Sequence, residues 1–353
     1  MKYPVLITNR AKLANNIKII QKLCADNGVS FCAVTKVFCA APKITRVYYD
    51  AGVREFADTR IANLKKINYQ GVTRWLLRLP MLCEVETAVK YSDVSLNSEI
   101  ATVKALNKAA IKLGKTHKVI LMVDVGDLRE GVLPRDALAV AGEILKFPNI
   151  ELYGLGVNYN CFGGVIPTHE SMSIVTNLAY EIKNKYGANI KVISGGNSGS
   201  MHFLTARTMP KEVNYLRIGE VILLGRETSY QQHIDGLHED VFRLHAQIIE
   251  LKKKPSVPVG ELGLNAFGEK PVFVDRGDIL RAVIAVGRQD VDMNKIAPLD
   301  HKAEILGQSS DHTIVDVTHS DTKYKVGDIL SFSVSYGSLL SLSTSKYVRK
   351  VYE

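Results

Sequence analysis

From about residue 30 to residue 220 the chain alternates short apolar runs with longer helix-period stretches, and it does so eight times. The apolar runs fall at 31–35, 54–57, 74–79, 93–96, 119–125, 151–157, 190–193 and 215–218. Several lack polar alternation, as in Val119-Ile120-Leu121-Met122-Val123. A strand of this kind is buried on both faces, the condition of a parallel sheet. The stretches between them, at 42–51, 61–66, 84–90, 99–113, 134–147, 168–186 and 199–206, supply the helical crossovers that parallel strands need. Eight such units fit a closed (β/α)8 barrel better than an open sheet.

Both ends of the chain depart from this pattern. A strand-like Val5-Leu6-Ile7-Thr8 and a helix from 9 to about 27 precede the first barrel strand. The early strand has no neighbour in a barrel, so it is expected to pair with the C-terminal region. After about Gln231 the segments turn short and β-branched, at 241–250, 271–274, 279–286, 302–305, 313–317, 329–334 and 347–352, with Gly, Asp and Pro between them. The expected organisation is a strand at 1–8 joining the C-terminal domain, an α/β barrel over 9–230, and an all-β domain over 231–353.

Composition excludes several classes. Of 353 residues, 46% are hydrophobic and 23% charged, which is ordinary globular chemistry. The net charge is +9, but the lysines and arginines are scattered and not interleaved with aromatics, so no nucleic-acid surface is expected. A positive surface suits anionic small molecules. The five cysteines are odd in number and form no CxxC pair, which argues against a disulfide framework and a zinc site; no metal is expected. No apolar run is long enough to span a bilayer, and the first residues lack the apolar core of a signal peptide. The expected setting is the cytoplasm.

In a (β/α)8 barrel the chemistry sits at the C-terminal ends of the strands. Those ends carry Lys36, Asp58, Arg78, Asn97, Arg129, Asn158-Tyr159-Asn160, the turn Ser194-Gly195-Gly196-Asn197-Ser198-Gly199-Ser200, and Arg217-Ile218-Gly219. A strand-end lysine can stand idle at the surface or form a Schiff base with an aldehyde, including that of pyridoxal phosphate. The small residues of the 194–200 turn let backbone N–H groups approach an anion at a helix start, with Ser198 and Ser200 as hydroxyl donors and Gly219 as a second backbone donor. Arg217 points into the barrel, either into a salt bridge or toward a cofactor ring. An arginine facing a pyridine nitrogen can only donate, which keeps that nitrogen unprotonated and favours simple proton removal and return.

Taken in order, these residues resemble fold-type III pyridoxal-phosphate enzymes, the alanine racemase group. The likeness rests on Ala33-Val34-Thr35-Lys36, Asp124-Val125-Gly126 with Arg129, Gly196-Asn197-Ser198, Arg217-Ile218-Gly219, and the β domain. Gly287-Arg288-Gln289-Asp290 with Ser309-Ser310-Asp311-His312 looks most like the ornithine racemase branch. The resemblance implies that the barrel binds pyridoxal 5'-phosphate, with Lys36 as its Schiff-base lysine and one of two catalytic bases. It implies that Asn197, Ser198 and Gly219 hold the phosphate, that Arg217 faces the pyridine nitrogen, and that Asn158 lies against the ring. Arg129 falls near the substrate carboxylate, with Arg288 and Asp311 as further substrate contacts. The 310–312 segment is expected to enter a partner subunit's site, which makes a head-to-tail homodimer.

The chain also departs from the group. Arg288 replaces a tyrosine, and arginine is a poor base at neutral pH. His312 and Tyr336 are therefore the candidates for the second base, with Tyr159, Cys161 and Cys39 as barrel-side options. Ala40 replaces a tyrosine and is expected to leave room for a longer substrate. Asn158 replaces a histidine, and Met122 a lysine. These changes point away from alanine toward a basic amino acid, ornithine first and lysine next, with Asp58, Asp127, Glu130 or Asp290 facing its distal ammonium. The expected reaction is two-base racemisation at Cα. A pyridoxal-phosphate lyase or decarboxylase on the same plan, or a non-enzymatic carrier of the cofactor, are the alternatives.

Overall fold

The computed structural model describes residues 2–353. Two compact units divide the chain: Arg10–Glu239 forms one, and the residues up to Asn9 join Asp240–Glu353 in the other. The first strand, β1 (Val5–Thr8), belongs to the second unit.

In the first unit, strands β2 (Ser30–Val34), β3 (Glu55–Asp58), β4 (Thr73–Leu76), β5 (Val94–Asn97), β6 (His117–Met122), β7 (Ile150–Gly156), β8 (Val192–Ser194) and β9 (Tyr215–Ile218) close into one parallel barrel. Closure is made by β2 against β9, with Ala33 opposite Ile218. The expected strands are all present, with ends moved by a few residues at most. Their continuous apolarity has its physical reason in the interior, where Cys32, Val34, Trp75, Leu96, Ile120 and Met122 pack together out of water. Burying such side chains contributes about 1.5–3 kcal/mol each for the larger ones. Within this core Trp75 stacks on Tyr215 at 4.7 Å, and both donate to the Glu55 carboxylate, at 2.8 and 2.7 Å.

The helices follow from their sequences. In Arg10–Asp26, Leu13, Ile17, Ile20 and Cys24 recur on one face and are buried. His169–Tyr186 begins at Thr168, which exchanges capping hydrogen bonds with Ser171, and ends at Gly187 in the left-handed conformation.

The expected boundary at 231 is corrected to Asp240. Residues 231–239 stay with the barrel because Glu227 and Gln232 pair through their backbones, and because the Asn16 amide both donates to and accepts from the His238 backbone.

The second unit is built on one long strand, β10 (Phe242–Pro255). Its first half pairs with β1, and β1 pairs in turn with the last strand, β16 (Arg349–Tyr352). The remaining strands are β11 (Asp278–Ile284), β12 (Ile296–Pro298), β13 (Glu304–Gln308), β14 (Thr313–Asp316) and β15 (Ile329–Val334), in the order β12-β15-β10-β11-β14-β13. One expectation fails here. Residues 271–274 form no strand, and Val272 and Val274 lie exposed without a pairing partner. The unit is a β domain, as expected, and carries one helix, Tyr336–Thr344, that buries Ser338, Leu339 and Leu342.

Candidate active site

Lys36 lies two residues beyond the end of β2 and opens a single 3-10 turn over Lys36–Phe38. The residue before it is fixed from below. The Thr35 hydroxyl donates to the Asp58 carboxylate at 2.7 Å and to the Ala57 carbonyl at 3.1 Å. Asp58 also accepts from the Arg60 backbone at 2.9 Å and from the Asn63 amide at 3.1 Å. Burial raises the Asp58 pKa, and those donors oppose the rise. After Lys36, Cys39 and Ala40 stand in succession at φ 53° and 47°. Such a pair of left-handed residues without glycine is strained backbone, the kind that collects at working sites.

Arg217 enters the barrel from β9 and is almost wholly buried. Its guanidinium donates to the Ser194 hydroxyl at 2.8 Å and to the Val157 carbonyl at 2.6 Å, both neutral groups. Burial lowers its pKa. It is therefore a buried cation held by dipoles, with directional N–H capacity beyond its two bonds.

The Ser198 hydroxyl oxygen stands 3.4 Å from the Gly219 nitrogen and 3.3 Å from the Val221 nitrogen, gathering two backbone donors on one oxygen. The backbone around it is tight. Gly196 has φ 105°, and a side chain there would meet the Tyr159 ring at 2.7 Å. A Cβ on Gly219 would stand 3.0 Å from Val34. Asn197 serves as a bracket: its amide nitrogen donates to the Tyr159 carbonyl at 2.7 Å and its oxygen accepts from the Gly199 backbone at 2.9 Å. Ser200 is corrected as an anion donor, because its hydroxyl is buried and donates to the Gly195 carbonyl at 2.5 Å.

Arg129, in the segment after β6, is gripped by the neighbouring Glu130 carboxylate. The Asn158 amide faces Arg129, and with its oxygen toward the guanidinium it accepts from both terminal nitrogens, at 3.2 and 3.3 Å. Arg129 and Asn158 thus form one polar pair, while the Asn197 amide separately stands 3.8 Å from the Cys161 sulfur.

Several expectations fall away. Asp58 is committed to Thr35 and Asn63. Asp127 is buried and accepts from the backbones of Phe162 and Gly163. Glu130 is taken by Arg129, and Asp290 accepts from the Ser345 hydroxyl at 2.5 Å. Each carboxylate named for a distal ammonium therefore has a structural partner. Tyr159 is buried against Ser171, and burial pushes its pKa up to about 12, so it is no base at neutral pH. Ala40 is fully buried, so its small side chain does not open space.

In the other unit the Gly287–Asp290 and Ser309–His312 motifs meet. The backbone nitrogens of Arg288 and Gln289 donate to the carbonyls of Ser309 and Ser310. Asp311 accepts from Gln289 at 2.5 Å and Ser310 at 2.7 Å. Arg288 donates to Glu269 at 2.8 Å and lies 4.2 Å from the Phe267 ring centre. His312 is exposed in the same turn, whereas Tyr336 opens the helix on a separate element.

A family model for "Alanine racemase, N-terminal domain" matches residues 8–227. The chain belongs to the alanine racemase family. It is 47% identical over 349 residues to an ornithine racemase of Acetoanaerobium sticklandii, covering 99% of both chains. It is 37% identical over 355 residues to a lysine racemase of Thermotoga maritima, covering 100% of this chain and 99% of the other. The fold matches a crystal structure of alanine racemase from Bartonella henselae with covalently bound pyridoxal phosphate, at a TM-score of 0.77, 19% identity and full coverage of both chains.

The residues of the barrel mouth fit pyridoxal phosphate. A phosphate needs converging backbone donors at a glycine-lined approach, which Ser198, Gly219 and Val221 supply. A pyridine nitrogen needs a donor in a dry site, which Arg217 supplies. Ser194, which steadies Arg217, and Glu220, next to Gly219, were not singled out from the sequence. Glu220 had one available signal, its position directly after a strand-end glycine.

Proposed function

We propose that this chain is a pyridoxal-phosphate-dependent racemase that interconverts the L- and D-forms of a basic amino acid, ornithine first and lysine next. The observation that carries the reading is Arg217, a buried guanidinium with neutral partners in the same barrel mouth as Lys36. Full-length likeness to an ornithine racemase and a lysine racemase supports the substrate class.

Pyridoxal phosphate, when bound, supplies the electron sink that makes a Cα proton removable. Lys36 would hold the cofactor aldehyde, and its amine would take or return the proton at Cα from one face. Ser198 and the Gly219 backbone would hold the phosphate, with Asn197 fixing the turn that carries Ser198. Arg217 would donate to the ring nitrogen, and a donor there suits proton return over transamination. Arg129, shaped by Glu130 and Asn158, meets the substrate carboxylate. The second base comes from the β unit, with His312 and Tyr336 as candidates, and Arg288 and Asp311 shape that side. The 310–312 segment reaches a second copy of the chain in a head-to-tail homodimer. No helix among the described residues is long and apolar enough to cross a membrane, and the reading places the enzyme in the cytoplasm.

The test is incubation of cofactor-loaded protein with L-ornithine in D2O. D-ornithine carrying α-deuterium is the expected product. Absence of exchange with ornithine, lysine and alanine overturns the reading. Lys36→Ala should remove the visible band of the bound cofactor.

A further inference from the structure

Two loops of the barrel unit meet at one buried carboxylate. The loop after β6, residues 124–131, presents Arg129 and Glu130. It closes on itself: the Val132 backbone donates to the Met122 carbonyl and the Asp124 backbone to the Val132 carbonyl, each at 2.9 Å. Inside it the Asp124 carboxylate accepts from the backbones of Gly126 and Leu128, at 2.9 and 3.1 Å. The loop after β7, residues 158–165, presents Asn158 and closes where the Asn160 backbone donates to the Val165 carbonyl at 3.1 Å.

Asp127 joins the two loops, and it is 2% exposed. One carboxylate oxygen accepts from the Phe162 backbone at 3.2 Å, and the other from Gly163 at 3.1 Å and Val165 at 3.4 Å. The Gly163 nitrogen also reaches the Asp127 carbonyl at 3.1 Å, and a Cβ on Gly163 would stand 2.8 Å from that oxygen, so the loops touch backbone to backbone. The 158–165 loop is tied in turn to the turn that carries Ser198. Asn197 donates to the Tyr159 carbonyl at 2.7 Å. Asn160 donates to the Ser229 hydroxyl at 2.9 Å, and that hydroxyl donates to the Gly199 carbonyl at 2.7 Å. Arg129 therefore stands at the end of a run of hydrogen-bonded loops that begins at the Ser198 turn and passes through Asp127.

We propose that Asp127 is a positioning residue for Arg129, locking its loop to the 158–165 loop so that the guanidinium is set against Asn158 and toward a substrate carboxylate. The proposal rests on the reading of Arg129 as the carboxylate contact. A group that meets the substrate gains from being fixed before the substrate arrives, and a displacement of about 1 Å can cost about 100-fold in rate. A carboxylate suits the task because both of its oxygens accept, and charge-assisted bonds to backbone N–H groups are the stronger kind. An amide in its place turns an NH2 group against one of the backbone donors.

The test uses the full-length, cofactor-loaded chain and its Asp127→Asn and Gly163→Ala variants, each made alone and together with Arg129→Gln. The affinities of L-ornithine and of 1,4-diaminobutane, which keeps both amines and lacks the carboxylate, are read from their effect on the visible band of the cofactor. Asp127→Asn is expected to weaken ornithine by about tenfold, the scale of one hydrogen bond to a charged group, and to leave 1,4-diaminobutane nearly unchanged. Gly163→Ala should do the same, and neither should weaken ornithine further when Arg129→Gln is present. Unchanged ornithine affinity, equal weakening of the two amines, or a loss that persists alongside Arg129→Gln overturns the proposal, as does failure of both variants to fold. A selective loss of ornithine in a protein that exchanges no amino-acid α-proton would leave the coupling of Asp127 to Arg129 intact and sink only the racemase reading.

Discussion

The Thr35 hydroxyl donates to the Asp58 carboxylate at 2.7 Å, one residue before Lys36. A side chain on one strand thus fixes the exit of its neighbour at the point where the reactive amine begins. Asp58→Ala would strip partners from the Arg60 backbone and the Asn63 amide as well. Leaving buried donors unpaired costs about 1–3 kcal/mol. Urea unfolding should show a loss of about 2 kcal/mol, and the variant should release cofactor more readily than wild type. A variant that keeps both stability and cofactor affinity would show that Asp58 does not hold the Lys36 turn.

Arg217→Lys keeps the positive charge and removes the planar fork. A lysine carries its three N–H groups on one nitrogen and cannot reach Ser194, Val157 and a ring nitrogen together as the guanidinium fork does. The expected result is a folded protein whose kcat falls by about tenfold or more, the scale of about 1.4 kcal/mol at the transition state. Its cofactor band should also change position. Unaltered kcat with an unaltered band would remove Arg217 from the cofactor.

What could be read in advance follows a physical line. Strands with buried faces announce themselves by apolar runs, so all eight barrel strands were legible, and so was Lys36 at the first strand end. Features set by distant partners were not. Nothing in Ser-Gly-Gly-Asn-Ser-Gly-Ser distinguishes Ser198, which gathers the Gly219 and Val221 nitrogens, from Ser200, which is spent on Gly195. Asp127 looks free in sequence and is consumed by backbone groups 35 and 36 residues away. The helix Tyr336–Thr344 is rich in serine and short in charge, and its identity comes from the Ser335–Ser338 cap and the burial of Leu339 and Leu342. The reverse error, at 271–274, shows that apolar residues without a partner edge make no strand.

Arg288 separates structural from functional roles in the β unit. Its contacts, Glu269 and the Phe267 ring, lie in an exposed region, and exposed ion pairs contribute little to stability. Arg288→Ala should therefore leave the melting temperature nearly unchanged. A large rise in KM for ornithine in that stable variant would assign Arg288 to the substrate. A large drop in melting temperature would instead make it a structural clamp on residues 265–269.

His117 makes the fold sensitive to acid. It is buried at the start of β6, with Nε2 at 2.8 Å from the Ser95 hydroxyl, which also accepts from the Asn97 amide. Burial drives its pKa down from 6.5 to about 3. Below pH 6.5 the unfolded chain binds a proton at His117 that the folded chain refuses, so stability falls as pH falls, until the folded group titrates near 3. A shift of this size corresponds to a few kcal/mol between those limits. Glu220 acts in the opposite sense. Its folded pKa of about 7 lies above its ordinary 4.5, so its contribution is present below pH 4.5 and is lost as pH rises through 7. Between pH 4.5 and 6.5 the two slopes partly cancel, which makes the His117 effect clearest below 4.5. Urea unfolding of wild type and His117→Gln at pH 7, 5 and 4 should give curves that converge as pH falls, because the variant lacks the buried imidazole. Parallel curves would mean that His117 is protonated in the folded chain and that its ring is not sealed from water.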